Sequence, residues 1–427
     1  MNKLLIVFLL CNALMSAAGL PERYASSVEL FLKNESSKRL MPENLNVFWL
    51  GSQTALIVPK EKSHKSMRPV IPWKNSQQKL SPPPPLTGVQ MGVVETPSVP
   101  PLGYEMDGDV KVFRLIAQPI NQLLVDEKVS TLSYLIPKKN EVPHAMHHTP
   151  RYQRVKCWGF NGTTPGPTIE ATEGDRVRII VKNELPEPTS IHWHGIELPN
   201  DQDGASPETQ HPIMPGEEYT YEFTLYQSGT LMYHSGYNVM RQDHMGLNGA
   251  FVIHPKKYAT PIDKDFVIML QQWALAPGNE YLNLITMDFN WFTFNGHAAP
   301  NIPVLTVNQG DRVRLRFANI IMDSHPIHMH GYIWTEVGTE GGPIQPSAQI
   351  KGSTILVSAG TTRDVEFTAW NPGVWRLHCH KLHHVVNAHA DVPMGYMEHG
   401  GMFTLLNVIP KSKGEPWVHP QSQEAQS

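Results

Sequence analysis

The sequence predicts an all-β protein built from two tandem Greek-key β-sandwich domains. The chain contains many short segments in which apolar and polar residues alternate, such as Arg176–Val181 and Arg312–Phe317, and Gly, Pro and Asn separate them. These segments fall into two repeated units of roughly 140 residues, a size that suits a Greek-key sandwich. No long stretch has the 3.6-residue period of an amphipathic helix.

An internal repeat defines the two units. The motif Gly-Asp-Arg-Val-Arg at 174–178 recurs at 310–314, displaced by 136 residues (174 to 310). Ile-His-Trp-His-Gly at 191–195 recurs with the same displacement as Ile-His-Met-His-Gly (191 to 327). Later in each unit His234 matches His378, displaced by 144 residues (234 to 378). We therefore predict a first domain at 105–256, a second domain at 262–412 and a tail at 413–427.

The composition excludes several classes of protein. The chain has 427 residues, of which 17% are charged and 41% hydrophobic, so it is neither a disordered polyelectrolyte nor a bundle of membrane helices. A net charge of −4 indicates no nucleic-acid partner and no anionic membrane surface as a partner. Three cysteines are too few for a disulfide scaffold. The 21 His and 18 Met, many of them clustered, leave transition-metal chemistry open.

The N-terminus predicts export. Lys3 precedes the apolar run Leu4–Leu10, and small residues follow up to Ala18, a pattern typical of a secretory signal peptide at 1–19. The run is too short to span a membrane. We expect a periplasmic or secreted protein without a membrane span once the signal is removed.

A Pro-rich arm follows the signal peptide at 20–104. It contains the run Ser-Pro-Pro-Pro-Pro at 81–85 and has little periodicity, so polyproline and coil are expected. The segments Val28–Leu32 and Val47–Leu50 could form short strands within this arm. We assign no chemistry to this arm.

Two histidine-rich clusters in the second unit point to metal centres. One is His-Pro-Ile-His-Met-His-Gly at 325–331, and the other is His-Cys-His at 378–380, followed by His384. Residues two apart on a strand share a face, so His378 and His380 face one way and Cys379 the other. Two metal sites can therefore lie back to back on this strand, one with a thiolate and one with imidazoles.

A His₂Cys set with a weak axial thioether is the ligand signature of a blue-copper centre. We assign this set to His325, Cys379 and His384. Zinc is the competing metal, but zinc sites favour several cysteines or a closed tetrahedral set. A single cysteine among many motif histidines favours copper.

These motifs resemble those of multicopper oxidases of the two-domain, laccase-like kind, whose domains are cupredoxin-like. The resemblance implies a type 1 copper that takes single electrons from a reductant and a trinuclear cluster that reduces O₂ to water, with about four coppers per chain. It implies that Cys379 and its two histidine neighbours form the electron bridge between the sites. The implied type 1 ligands are His325, Cys379 and His384, the type 2 ligands His192 and His328, and the type 3 ligands His194, His234, His330, His378 and His380.

The first repeat lacks the residues of a blue copper. Cys379 aligns with Ser235, His325 with Thr189 and His384 with Met240. This repeat keeps three histidines that can share a cluster with the second: His192, His194 and His234. Two-domain relatives place such a cluster between chains, and a closed ring is compatible with symmetry, so we predict a homotrimer.

The second histidine motif of the first repeat departs from the family pattern. Relatives have His-x-His there, whereas this chain reads His-Ser-Gly at 234–236. One type 3 imidazole is therefore missing. His244 could replace it if its loop folds back, although a solvated His244 is an equal alternative.

Two further departures concern the axial ligand and proton delivery. The usual axial Met position is His389, so Met402 is our first choice of axial ligand, with Met394 and Met397 behind it. No carboxylate flanks the last histidine motif. Asp203 resembles the family acid that orients the type 2 site and relays protons, and an ordinary Asp-Gly turn is its alternative.

Two His- and Met-rich segments could concern the reductant. One contains Met394, Met397 and Met402 with His389 and His399, and thioethers favour Cu(I). We therefore hypothesise that this loop docks cuprous ion. We expect the second segment, which contains His144, Met146, His147 and His148, to be a solvated loop. The sequence does not choose among phenols, Cu(I) and Mn(II) as reductant.

Two alternatives to an oxidase remain. A non-catalytic periplasmic copper-binding or electron-transfer protein would result if the cluster has decayed at Gly236. A nitrite reductase shares the two-domain trimer but usually carries its blue copper in the first domain, where this chain has Ser235.

Overall fold

The structure, a computed structural model, describes part of the chain in detail. It covers residues 45–49, 55–59, 90–91, 93–130, 132, 151–257, 261–276, 278–387 and 399–412. The signal peptide, most of the arm, the tail and the segments that contain His144–His148 and His389–Met397 lie outside the described residues. The chain divides into two units, Met1–Pro84 and Pro85–Ser427. In the first unit, strands β1 (Leu45–Trp49) and β2 (Ala55–Pro59) pair antiparallel.

The first sandwich of the second unit has two sheets. Its strands are β3 (Gln90–Met91), β4 (Gly103–Asp107), β5 (Val110–Asp126), β6 (Tyr152–Phe160), β7 (Gly166–Thr172), β8 (Arg176–Asn183), β9 (Ile191–His194), β10 (Glu218–Thr224), β11 (Gly229–Ser235) and β12 (Asn248–His254). One sheet has the order β10-β8-β5-β4-β3 with β6 beside β5, and the other has the order β7-β12-β11-β9. A single core of buried residues from both sheets, including Phe113, Val177, Trp193 and Phe251, joins them. Helix α1 (Val239–Gln242) follows β11.

The second sandwich repeats this plan. Its strands are β13 (Lys264–Trp273), β14 (Trp291–Phe294), β15 (Leu305–Asn308), β16 (Arg312–Asn319), β17 (His325–Met329), β18 (Trp334–Thr339), β19 (Gly342–Pro343), β20 (Ile350–Gly352), β21 (Thr354–Val357), β22 (Thr361–Thr368), β23 (Gly373–Cys379) and β24 (Phe403–Ile409). One sheet has the order β14-β13-β16-β22-β18-β19 with β20 beside β18, and the other has the order β15-β24-β23-β17-β21. Helix α2 (Leu382–Val386) follows β23. Short 3₁₀ turns in the described residues span Glu127–Val129, Asn200–Gln202 and Pro346–Ala348.

The predicted all-β fold is confirmed, and strand pairing reproduces the repeat. In the first sandwich His234 on β11 pairs with His192 on β9. In the second, His378 on β23 pairs with His328 on β17. The residues that the repeat aligns therefore occupy the same positions in two copies of one sheet. No helix among the described residues is long and apolar enough to cross a membrane.

The two sandwiches share a packed junction. Met232, Ala250, Val267 and Met269 form a small core between β11, β12 and β13, and each large apolar side chain buried in this way contributes roughly 1.5–3 kcal/mol. Beside it, the buried Arg316 forms ion pairs with Asp265 and Asp364, and it donates a hydrogen bond to Thr230 of the first sandwich at 2.7 Å. The strand that carries His234 is thereby held against the second sandwich.

The last part of the predicted arm belongs to this junction, which corrects the expectation of coil up to 104. The Val93 and Val94 amides donate to the Glu170 carboxylate at 2.9 and 3.0 Å. Glu95 bridges to Phe266 of β13, and β4 begins at Gly103. Backbone pairing to a buried carboxylate and to a strand edge orders a segment whose composition indicates coil.

Candidate metal centres

Three buried side chains converge at one end of the second sandwich. His325 opens β17, Cys379 ends β23 and His384 lies on α2, and all three are fully buried. Cys379 Sγ lies 3.9 Å from His325 Nδ1 and 3.6 Å from His384 Nδ1, and the two Nδ1 atoms are 3.0 Å apart. One ion could contact all three ligand atoms, since these atoms lie within 4.8 Å of one another.

Burial keeps all three groups in their neutral forms. Desolvation lowers the pKa of His325 and of His384 to about 3 and raises the pKa of Cys379 to about 11. The Nε2 atoms of both histidines have no hydrogen-bond partner in the described part of the chain. A bound cation would offset the cost of a buried thiolate. Neutral imidazoles beside one thiol are the donor set of blue copper, so these residues fit that ion.

The surroundings hold this triad in place. The Phe292 ring stacks on the His384 ring with a centroid distance of 3.7 Å. The Met402 amide donates to the His384 carbonyl at 2.9 Å, and the Cys379 amide donates to the Met402 carbonyl at 3.1 Å. Met402 is fully buried in the same core. Its backbone thus joins two of the three ligand residues, while an axial role for its thioether remains a prediction.

An imidazole cluster lies on the opposite face of β17 and β23. The structure brings His328, His330 and His378 together, with His330 Nε2 3.2 Å from His378 Nε2. The exposed His380 follows, with its ring 5.6 Å from the His328 ring. His328 Nδ1 lies 2.8 Å from the Ser353 carbonyl, which can only accept. The proton is therefore on Nδ1, and Nε2 is left free for a metal.

A second imidazole cluster lies in the first sandwich. It comprises His192, His194 and His234, with His194 Nδ1 3.3 Å from His234 Nε2. His192 Nδ1 lies 3.0 Å from the Asp203 carbonyl oxygen and 3.4 Å from its carboxylate. Asp203 therefore orients the His192 ring through both its backbone and its side chain.

Both clusters contain histidines with a lowered pKa, which bind protons weakly and are therefore available to a metal ion. Desolvation, with a smaller contribution from the neighbouring imidazoles of His234 and His192, lowers the pKa of His194 to about 4. Desolvation likewise lowers the pKa of His378 to about 4, and it is the largest cause of the lowered pKa of His330. These rings are neutral at pH 7, which is the form that binds a transition metal.

The two imidazole clusters do not merge within one chain. Among the described residues, the first-sandwich histidines and the second-sandwich histidines form separate groups of ligand atoms. The rings of His192, His328 and His330 are only half-buried, and His380 is exposed. Each cluster is therefore an open half-site, and neither contains the imidazoles that the family resemblance assigns to a complete trinuclear centre.

The structure explains why position 236 has no side chain. A Cβ atom added to Gly236 would lie 2.0 Å from the Gly204 carbonyl oxygen, because the Gly236 amide donates to Ser190 and the Ser206 amide donates to Gly236. His244 lies outside all three clusters. Its ring stacks on Phe289 at 5.3 Å, and its Nδ1 contacts the Met240 carbonyl.

Two residues near the end of β11 have no recognisable signal in the sequence. Asp243 Oδ2 lies 3.0 Å from His234 Nδ1, and Asp243 Oδ1 accepts the Ser235 amide at 3.1 Å. Gln242 accepts hydrogen bonds from the hydroxyls of Thr189 and Ser235 at 2.7 and 2.6 Å. A Gln-Asp pair after a strand carries no metal-ligand spacing, so only the return of α1 to the end of β11 reveals these contacts.

Comparison with known proteins agrees with this arrangement. Two multicopper oxidase family profiles match residues 143–258 and 274–391. Laccase-19 of Oryza sativa subsp. japonica is 33% identical over 253 residues, which cover 54% of this chain and 42% of that protein. Copper resistance protein A of Escherichia coli is 37% identical over 139 residues, which cover 32% of this chain and 22% of that protein. The chain thus spans less than half the length of these relatives.

A solved structure covers more of the chain. The crystal structure of a blue copper oxidase from Nitrosomonas europaea is 30% identical, with a TM-score of 0.57, and the match covers 70% of this chain and 85% of that one. Its extent includes both sandwiches. The similarity therefore concerns the two-domain arrangement as well as the single motifs.

Proposed function

Since the chain belongs to the multicopper oxidase family, we propose that it takes single electrons from a small reductant and reduces O₂ to water. The observation that carries this proposal is the buried triad of His325, Cys379 and His384, placed back to back with an imidazole cluster on the same strand. Copper bound at these sites would supply one-electron transfer at the triad and four-electron reduction of O₂ at the cluster.

Adjacent residues on β23 connect the two sites. Cys379 faces the buried triad, whereas His378 faces the imidazole cluster. His378 Nδ1 also donates to the Cys379 carbonyl at 2.8 Å. One peptide unit and one hydrogen bond therefore join Cys379 to the cluster, and the same bond would leave His378 Nε2 free to hold a metal.

We propose that the trinuclear cluster forms between chains in a homotrimer. The first sandwich offers His192, His194 and His234, and the second offers His328, His330, His378 and His380. If the first sandwich of one copy faced the second sandwich of the next, their two half-sites would together form one cluster. In a closed ring every copy would make the same contacts. Asp203 would hold His192 in its binding orientation and relay protons consumed by O₂ reduction.

The reductant is proposed as a phenol-like compound or Cu(I). The laccase relatives favour the first and the copper resistance protein favours the second. The predicted docking loop for Cu(I), with Met394 and Met397, lies outside the described residues, as does the signal peptide on which we base the proposal of export.

The competing candidate is a copper-binding or electron-transfer protein without O₂ reduction. One observation favours it. The backbone of Gly204 occupies the space that a side chain at position 236 would need, so the cluster has seven of the eight imidazoles that the resemblance implies.

Copper content and mass test these proposals together. We expect about four coppers per chain in copper-loaded, air-oxidised protein, with about half of them visible by EPR because a coupled type 3 pair is silent. The mass in solution should be that of three chains. One or two coppers, all EPR-visible, would favour the electron-transfer alternative, and an active monomer would refute the shared cluster.

A further inference from the structure

The buried triad is closed to direct contact with a reductant. His384 is fully buried, and its ring contacts three other rings. Phe292 stacks on it at 3.7 Å, His325 lies 4.8 Å away, and His383 meets it edge-on at 4.3 Å. Phe292 and His325 are themselves buried. A donor molecule in solvent therefore reaches none of these three buried rings.

His383 differs from the other ring neighbours because it is exposed. It precedes His384 on the short helix α2, so the two side chains leave the helix in different directions, His384 into the core and His383 outward. The His383 ring also meets the edge of Phe292 at 5.7 Å. Among the described residues with a ring contact to His384, His383 alone extends from the ligand to the solvent.

We propose that His383 is the residue at which the reductant docks and through which its electron reaches the blue-copper ligands. This inference rests on the proposed function and adds to it the position of electron uptake. His383 touches the donor and is neither oxidised nor reduced. A phenol would lose one electron and its hydroxyl proton. The electron would reduce Cu(II) to Cu(I) at the triad, and the proton would go to solvent.

The chemistry of the exposed ring favours a small aromatic donor with a hydroxyl group. An imidazole nitrogen that carries no proton can accept a hydrogen bond from a phenol hydroxyl, and the flat ring allows a planar donor to stack. The donor ring would then lie one imidazole away from His384.

Single-turnover reduction of the copper-loaded protein tests this proposal. Anaerobic mixing with hydroquinone should bleach the visible band of the wild type, and His383→Ala should slow the bleaching about tenfold or more because the contact is lost. His383→Phe keeps the ring contact but loses the hydrogen-bond acceptor, so it should slow the bleaching less than His383→Ala does. Leu382→Ala is the matched control, since Leu382 is 76% exposed on the same helix, and it should leave the rate unchanged.

Two further measurements separate docking from indirect effects. The band position and the reduction potential should be unchanged in His383→Ala, because His383 is not a ligand of the triad. In the metal-free protein, hydroquinone should protect His383 from diethyl pyrocarbonate, as read by peptide mass spectrometry. An unchanged bleaching rate in His383→Ala, a shifted potential that explains a slow rate, or absence of protection would each overturn the proposal. A wild type without a visible band would instead refute the proposed function.

Discussion

Equivalent positions in the two sandwiches have different side chains: candidate metal ligands in the second sandwich and non-ligand residues in the first. In the second sandwich His325, Cys379 and His384 meet as a buried triad. In the first sandwich Thr189 and Ser235 occupy the positions of His325 and Cys379. Thr189 bridges to Ile213 as His325 pairs with Val357, and Ser235 pairs with Ile191 as Cys379 pairs with Ile327. Met240, which aligns with His384, is 61% exposed.

Gln242 fills the space between the two first-sandwich hydroxyls. Its amide oxygen accepts from Thr189 and Ser235, and its amide nitrogen donates to Glu187 and the Pro188 carbonyl at 2.9 and 2.8 Å. Every polar atom of Gln242 is thus hydrogen-bonded, and no ion is needed. In the second sandwich the Nδ1 atoms of His325 and His384 lie 3.9 and 3.6 Å from Cys379 Sγ and only 3.0 Å from each other. Hydrogen bonds therefore close one copy of this site, whereas the other presents a set of donors that fits a metal ion.

The largest effect is expected when Cys379 of the second sandwich is replaced by serine, the residue at the equivalent position of the first sandwich. Cys379→Ser should abolish the visible blue band and remove about one copper per chain, because a serine hydroxyl does not replace the thiolate. Visible spectroscopy and metal analysis measure both changes. Cys157→Ser is the matched control: Cys157 is a buried thiol in a separate core, so its loss should leave the band intact. A blue band in Cys379→Ser would contradict the assignment of the triad.

Replacement of Gly236 tests the second difference between the copies. The second sandwich has His380 two residues after His378, whereas the first has Gly236 two residues after His234. Gly236→His should lower the free energy of unfolding by about 3 kcal/mol, because its Cβ would overlap the Gly204 carbonyl. We expect no gain in copper.

Thermal unfolding of metal-free protein measures this cost. Gly236→Ala should show most of the same loss, since it adds the same Cβ. Gly341→Ala is the control, because a Cβ there would make only an ordinary contact of 3.5 Å with Thr339. A Gly236→His variant with wild-type stability and additional copper would show that the missing imidazole can be restored.

The smallest effect is expected when Gln242, which fills the equivalent site of the first sandwich, is removed. Gln242→Ala should lower the free energy of unfolding by about 2 kcal/mol, because the Thr189 hydroxyl and other buried groups lose their partner. The blue band should persist, since the triad lies in the other sandwich. Denaturant unfolding and the visible spectrum measure these two outcomes, with the exposed Met240→Ala as control. Unchanged stability would mean that Gln242 does not hold the closed site.

The sequence predicted the all-β fold for a physical reason, and the same reason separates the candidate ligand residues of β23 onto two faces. Strand residues alternate in direction with a period of two, so the spacing of His378, Cys379 and His380 alone separates a thiolate face from an imidazole face. The repeat then placed Ser235 and Thr189 opposite Cys379 and His325, and the pairing registers agree with that alignment. Local periodicity and internal comparison needed no knowledge of distant contacts.

Other features depend on contacts between residues far apart in the chain. The ordering of residues 93–100 depends on Glu170 and on the edge of β13, which composition does not reveal. His244 could complete the cluster only if its loop folded back towards His234, whereas in the structure its ring stacks on Phe289, which precedes β14. Spacing along the chain indicates a shared face only within a regular element, and His244 follows a short helix and a turn.

The sequence by itself determined the all-β class, the duplication and the residue types that can bind copper, because strand period and ligand chemistry are local properties. Only the tertiary structure decided that Gly204 blocks position 236, that Gln242 closes the first-sandwich site, that the imidazoles of one chain form two separate half-sites and that His384 is buried beneath the exposed His383. Each of these features depends on how a loop packs against the end of a strand. Steric and hydrogen-bond contacts between residues far apart in the chain determine that packing.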